Sequence, residues 1–111
     1  DMEEIDQYIF FDMYQDFTDS TAIYPEEQGL EYTALGLASE AGEFAGKVKK
    51  MIRDKTYDTE AMIAELGDVL WYVARAAAEL DVHLSDVAKD NIEKLKSRQD
   101  RGKLGGSGDE R

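Results

Sequence analysis

The chain has 111 residues and no cysteine, so its length suits one domain and its composition excludes a disulfide framework or a thiol nucleophile. Its formal net charge of −12 argues against a general binding surface for nucleic acid or anionic membranes. No apolar run approaches the roughly 20 residues that cross a bilayer, and the acidic N-terminus lacks a signal-peptide pattern. We therefore expect a cytoplasmic protein with no nucleic-acid or membrane partner.

A single proline and an abundance of Ala, Leu, Glu and Lys favour an all-α fold. The apolar periodicity predicts helical segments near residues 3–17, 28–53, 58–80 and 85–101. Asp58 and Thr59 form a suitable N-cap pair for the third segment, and Ser85 is a candidate N-cap for the fourth. These segments predict a four-helix bundle-like domain.

The C-terminal residues differ in composition from the predicted helices. Gly102 is a suitable stop for the last helix, and residues 105–111 are rich in glycine. We expect the all-α domain to span residues 1–104, followed by a flexible tail over 105–111. The tail contains no GxxxxGK[ST] pattern and is therefore not a phosphate-binding P-loop.

The first predicted helix carries aromatic side chains on most of its faces, namely Tyr8, Phe10, Phe11, Tyr14 and Phe17. A helix that is apolar on most sides needs burial on most sides. In a small bundle this pattern favours contact with a second copy of the chain. The alternative is that neighbouring helices of the same chain cover these aromatics.

Two carboxylate pairs mark the second and third predicted helices: Glu40 with Glu43, and Glu65 with Asp68. The i, i+3 spacing places each pair on one helix face, beside the apolar stripe. If the two helices pack antiparallel, these carboxylates converge, and they cannot all stay ionised there without a cation. Oxygen ligands select hard ions such as Mg²⁺, Mn²⁺ or Ca²⁺.

Two other interpretations account for acidic residues at such positions. Either pair alone is common on a solvated helix face, and Lys47 lies four residues after Glu43, where a surface ion pair forms easily. A di-iron carboxylate bundle needs Glu-x-x-His motifs, but the only histidine, His83, follows Leu80 at that spacing. His83 falls in a predicted turn, and we assign it no role.

The order of these motifs resembles the MazG-like nucleotide pyrophosphohydrolases of the all-α NTP pyrophosphatase superfamily. The family pattern is EExxE, a spacer and ExxD; this chain has Ser39-Glu40-Ala41-Gly42-Glu43, 21 intervening residues and Glu65-Leu66-Gly67-Asp68. Ser39 replaces the first glutamate of the fuller motif. Asn91-Ile92-Glu93-Lys94 and Arg98 are similar to the family's last-helix motif. The resemblance runs from about Tyr24 to the glycine-rich tail.

The resemblance implies a homodimer or a tetramer of paired dimers. It also implies hydrolysis of an NTP or dNTP between its α and β phosphates, with a house-cleaning role in the nucleotide pool. We expect the four carboxylates Glu40, Glu43, Glu65 and Asp68 to bind Mg²⁺, or Mn²⁺ in its place, and to form the catalytic centre.

Further residues are candidates for nucleotide contact. Lys94 and Arg98 are spaced i, i+4 and suit a phosphate clamp, which Lys47 is placed to assist. Asn91 is a candidate hydrogen-bond partner for sugar or base. Trp71, followed by Tyr72, is a candidate stacking surface, although aromatics at helical spacing also suit a core.

Three alternative functions remain open at this point. The first is a related pyrophosphohydrolase that acts on phosphoribosyl-ATP, which a panel of substrates distinguishes. The second is a non-catalytic helical adaptor whose aromatic first helix binds a partner. The third is a module that binds a divalent cation or a nucleotide without hydrolysis.

Overall fold

The computed structural model describes the backbone of residues 2–111 and the side chains of residues 8–111. This part of the chain is all-helical, with the helices α1 (Met2–Asp19), α2 (Gly29–Asp54), α3 (Thr59–Glu79) and α4 (Leu84–Asp100). One turn of 3-10 helix, Glu26–Gln28, precedes α2. The all-α prediction is therefore confirmed, with each helix close to its predicted position.

Helix α3 is central, because it contacts α1, α2 and α4. Within the described residues, α3 is the one α-helix that α2 contacts, whereas α4 contacts both α1 and α3. The close pairs between α2 and α3 run in opposite directions along the chain: Gly36 faces Tyr72, and further along α2 Lys47 pairs with Glu65. The two helices are therefore antiparallel, which is the condition under which the carboxylate motifs converge.

Helix α3 begins and ends with specific backbone contacts. The carboxylate of Asp58 accepts the Ala61 N–H at 3.0 Å, so the predicted N-cap is confirmed. At the other end, Asp81 has a φ of 60°, and the Val82 N–H donates to the Ala77 carbonyl at 3.0 Å. The left-handed residue turns the chain back towards α4.

Helix α4 is capped by side chains of α1. It begins at Leu84 rather than after Ser85, so the N-cap prediction for Ser85 was wrong. The side-chain oxygen of Gln15 accepts the Leu84 N–H at 2.9 Å, and Asp12 accepts both the N–H and the hydroxyl of Ser85, at 3.0 and 2.8 Å. Because the acceptors come from a distant helix, local sequence did not reveal them.

The single chain buries few apolar side chains. Among the described residues, the buried hydrophobic ones are Met51, Ala74, Ala77 and Leu84. The radius of gyration of 16.7 Å exceeds the value of about 13 Å that a compact domain of about 100 residues has. The arrangement is thus open. None of the described helices combines the length and the apolar character that crossing a membrane requires.

Candidate metal centre

The antiparallel packing of α2 against α3 brings three carboxylates together. Oxygen atoms of Glu40, Glu65 and Asp68 lie within 4.8 Å of one another. Glu65 is buried, Glu40 is half-buried and Asp68 is exposed, so the cluster extends from the helix interface to solvent. Like charges this close favour uptake of a proton or a cation.

A single lysine offsets part of this negative charge. The Lys47 ammonium lies 2.7 Å from Oε1 of Glu65, so Lys47 pairs across the helix interface and not along its own helix with Glu43. The other carboxylate oxygen, Oε2 of Glu65, is buried and has no hydrogen-bond partner. A buried oxygen without a partner is costly, and either a bound cation or a proton on the neighbouring Glu40 would satisfy the Glu65 carboxylate.

The ionisation of the cluster follows from these contacts. The pKa of Glu40 is raised, first by loss of hydration and then by hydrogen bonding to Glu65 and the negative charge of Asp68. The pKa of Glu65 is lowered, mainly by its hydrogen bond with Lys47. The pKa of the Lys47 ammonium is raised by the same contact. Of these two carboxyl groups, Glu40 is therefore the one that holds a proton more readily when no cation is bound.

Glu43 occupies a different position from the other predicted ligands. It lies one turn beyond Glu40 on α2, is exposed, and is not part of the group whose oxygens lie within 4.8 Å of one another. Its predicted role as a metal ligand stays a prediction.

An aromatic wall adjoins the carboxylates. Glu40, Asp68, Trp71 and Tyr72 line a cavity of about 310 Å³. The two aromatic rings meet edge to face, with centroids 4.9 Å apart and planes at 81°. The Trp71 indole N–H donates to the Thr21 hydroxyl at 2.8 Å, which fixes the ring. The cavity thus combines acidic and flat apolar surfaces.

Tyr72 is a residue of this wall whose position the sequence alone does not reveal. A Cβ atom at Gly36 would overlap the Tyr72 ring, so the glycine allows the ring to lie directly on α2. The pKa of Tyr72 is raised by burial, by Tyr32 and by the nearby charges of Glu40 and Asp68. A glycine inside a predicted helix was the available signal for this close approach.

The predicted phosphate-binding residues do not line the cavity of Glu40 and Asp68 within one chain. Asn91 and Lys94 line a groove of about 330 Å³ with Val87 and Asp90. Helix α4, which carries them, does not contact α2 in the described chain. Arg98, on the same helix, is buried and pairs with Asp109. The structure therefore groups Glu40, Glu65, Asp68, Lys47 and Trp71, but not the residues of α4, at one site.

Comparison with known proteins gives this geometry a context. Residues 28–102 match the family model described as the MazG nucleotide pyrophosphohydrolase domain. The chain is also 50% identical to the gene 37 protein of Mycobacterium phage L5, in an alignment that covers 90% of this chain and 97% of that protein. No solved structure matches the chain. Because the matched region exceeds half of the chain and contains both carboxylate motifs, the protein belongs to the MazG nucleotide pyrophosphohydrolase family.

Proposed function

We propose that the protein hydrolyses nucleoside triphosphates, as (d)NTP to (d)NMP and pyrophosphate, in the presence of Mg²⁺. The observation that carries the proposal is the cluster of Glu40, Glu65 and Asp68, in which Oε2 of Glu65 is buried without a partner. Family membership supports the class of reaction, since the matched domain is that of a nucleotide pyrophosphohydrolase.

The donor set fits a hard divalent cation, because every candidate ligand is a carboxylate oxygen. We assign Glu40, Glu65 and Asp68 as ligands of Mg²⁺, with Mn²⁺ as a substitute, and include Glu43 at the edge of the site. Lys47 holds Oε1 of Glu65 and leaves Oε2 free to face a ligand. The bound cation would supply charge neutralisation on the phosphate oxygens during transfer.

The aromatic wall suggests where the nucleoside part of the substrate binds. Trp71 and Tyr72 line the same cavity as Glu40 and Asp68. A flat ring beside a cation site suits a base or sugar whose phosphates contact a cation held by the carboxylates. We assign Trp71 as the residue that stacks on the base. Tyr72 forms the part of the cavity wall next to the carboxylates.

Phosphate contact is assigned to α4. Lys94 and Arg98 lie on one face of that helix, and Asn91 lies one turn earlier. Since these three residues do not line the cavity of Glu40 and Asp68 within one chain, we assign their action at the carboxylates to an assembly of several copies of the chain. This assignment is therefore tied to the proposed self-association.

We propose that the protein works as a homodimer or a homotetramer. The exposed apolar side chains include Phe10, Leu35 and Ile63, which are 73%, 72% and 61% exposed. Monomeric domains rarely leave large apolar patches open to water. The small set of buried apolar residues and the large radius of gyration support the same conclusion.

The extent of the catalytic unit and its location follow from the same proposal. We assign residues 1–104 to the catalytic domain and residues 105–111 to a C-terminal tail outside it. The substrate and the absence of cysteine both suit the cytoplasm, where nucleoside triphosphates and reducing conditions occur together. A house-cleaning role would require that damaged or surplus nucleotides are the preferred substrates.

The test is a hydrolysis assay with common and damaged NTPs and dNTPs, phosphoribosyl-ATP, and Mg²⁺, Mn²⁺ or EDTA. We expect monophosphate and pyrophosphate, resolved by ion-exchange chromatography, and no products in EDTA. Diphosphate with orthophosphate would contradict the assigned bond. Turnover confined to phosphoribosyl-ATP would mean that this compound, and not a nucleoside triphosphate, is the substrate. Binding without turnover anywhere in the panel would favour a non-catalytic adaptor or a module that binds a cation or nucleotide.

A further inference from the structure

Two buried side-chain polar atoms in the described part of the chain have no hydrogen-bond partner, namely Oε2 of Glu65 and Nε of Arg98. The first belongs to the cluster of carboxylates. The second belongs to an arginine whose side chain is only 6% exposed and which lies one helical turn after Lys94. An unpartnered guanidinium N–H next to a second cation marks a place for an anion.

This place is occupied by the chain itself. Nη2 of Arg98 donates to the Asp109 carbonyl at 2.6 Å and to its carboxylate at 3.1 Å. The Lys94 ammonium donates to the same carboxylate oxygen at 3.3 Å. One aspartate of the C-terminal segment therefore binds both cations that we assign to the substrate phosphates.

The segment that carries Asp109 is folded into a hook, which we define as residues 103–111. The Arg111 guanidinium donates to the carbonyls of Leu104, Gly105 and Gly108, among others, and closes the hook on itself. Gly108 has a φ of 87°, a conformation that favours glycine. The hook thus presents Asp109 to α4 as a shaped unit and not as an extended chain.

We propose that the hook is an autoinhibitory device: Asp109 occupies the Lys94–Arg98 pair, and the polyphosphate of a nucleotide binds there only after the hook has left. This inference rests on the phosphate role proposed above for Lys94 and Arg98. It adds a competing ligand within the chain and a step of tail release that precedes binding.

The exchange is favourable because the two anions differ. The Asp109 side chain is 82% exposed, so its release costs little packing. Arg98 and Lys94 lower the pKa of Asp109. At neutral pH its carboxylate is therefore charged and competes with phosphate groups for Lys94 and Arg98. A polyphosphate carries more charge and more acceptor oxygens than one carboxylate, and satisfies more of the donors.

The test is the equilibrium binding of inorganic pyrophosphate in EDTA, measured by titration calorimetry on the 111-residue chain. We expect Asp109→Asn, and a chain that ends after Gly102, to bind pyrophosphate about threefold to tenfold more tightly than the wild type. This is the size of effect expected when a competing, partly exposed ion pair is removed. The matched control is Glu110→Gln, because Glu110 is exposed and forms no ion pair with Lys94 or Arg98. We expect this variant to bind like the wild type.

A second variant separates the ion pair from a general change in charge. In a Lys94→Met background, Asp109→Asn should tighten pyrophosphate binding less than in the wild type. The Asp109 carboxylate contacts Lys94 and Arg98, and the contact with Lys94 is already absent in that background. Equal affinity of the wild type, Asp109→Asn and the shortened chain would overturn the proposal, as would an equal gain from Glu110→Gln. The assay needs no turnover, so tighter binding without hydrolysis in any substrate panel would sustain the hook and overturn only the proposed reaction.

Discussion

Helix α3 carries two clusters of charged side chains that contact other helices, and they treat buried charge in opposite ways. Near its C-terminal end, the buried Arg75 donates to the Thr18 hydroxyl at 3.3 Å, the Asp19 carboxylate at 3.2 Å and the Tyr24 hydroxyl at 3.4 Å. In its N-terminal half, the buried Glu65 has one partner, Lys47, and one oxygen without any. The first cluster is complete within the chain, and the second is not.

The difference separates a structural contact from a candidate site. Arg75 joins α1, α3 and the segment after α1, and each of its guanidinium nitrogens has an acceptor. Such a network stabilises one arrangement of the helices. Glu40, Glu65 and Asp68 repel one another, so a bound cation would stabilise this arrangement. A buried charge is therefore informative about function mainly when its partners are too few.

The largest effect is expected at the incomplete cluster. Glu65→Gln keeps the size of the side chain but removes the charge that Lys47 and the proposed cation share. We expect kcat to fall by about a hundredfold or more, comparable to the loss of one preorganised electrostatic contact in an active site. Steady-state hydrolysis with saturating Mg²⁺ measures this loss. Helicity by circular dichroism should be unchanged.

Glu60→Gln is the matched control for this substitution. Glu60 lies on the same helix, in its first turn, and is exposed. We expect wild-type kcat from this variant. Full activity of Glu65→Gln would remove the carboxylate cluster from the proposed mechanism.

The complete cluster should respond in stability and not in cation binding. Arg75→Met keeps the apolar stem but leaves the Thr18 and Tyr24 hydroxyls without the guanidinium. Because Asp19 is exposed and can be hydrated, we expect the free energy of unfolding to fall by about 2 kcal/mol. Urea unfolding at one fixed protein concentration measures this change, since self-association would couple to stability.

The Mg²⁺-induced gain in the unfolding temperature should be the same in Arg75→Met as in the wild type. Arg53→Met is the control, because Arg53 pairs with its neighbour Asp54 on the surface. Exposed pairs of this kind contribute little, so we expect no measurable loss. A loss of Mg²⁺ response in Arg75→Met would show that the two clusters are coupled.

The sequence predicted the helices from local spacing, and it predicted that the two carboxylate motifs meet if α2 and α3 pack antiparallel. Apolar periodicity located α2 and α3, and the i, i+3 spacing placed Glu65 and Asp68 on one face. Once the helices pack antiparallel, three of the four predicted carboxylates come together. The position of Glu43 depends on the helix rotation, which spacing does not fix to within one turn.

Contacts between distant segments were not predictable in the same way. Serine is a favoured residue type at N-caps, but Ser85 does not cap α4. Its backbone N–H and its hydroxyl both donate to Asp12 of α1. The composition of residues 105–111 predicts a flexible tail, yet it carries no information that Asp109 reaches Arg98. In each case the partner lies on another element, and the pairing appears only after the fold has placed both residues.

The smallest expected effect concerns the proton on Glu40, and its sign follows from the raised pKa. A carboxyl group whose pKa is raised in the folded state stabilises the fold below its unfolded pKa and loses that contribution as the pH rises through the folded value. At neutral pH without metal, ionised Glu40 therefore opposes folding. We expect Glu40→Gln to raise the unfolding temperature in EDTA at pH 7 and to change it less at pH 4.

The same substitution should reverse its effect when Mg²⁺ is present, because Gln lacks the charge that the cation requires. The wild-type protein should gain stability on adding Mg²⁺, and the gain should grow with pH as Glu40 loses its proton. Glu40→Gln should lose most of that gain, whereas Glu93→Gln, an exposed change in the middle of α4, should keep it. Thermal unfolding across pH 4–8 in EDTA and in Mg²⁺ measures both effects. If Glu40→Gln lowers stability in EDTA, then Glu40 behaves like the satisfied groups around Arg75, and the contrast between the two clusters fails.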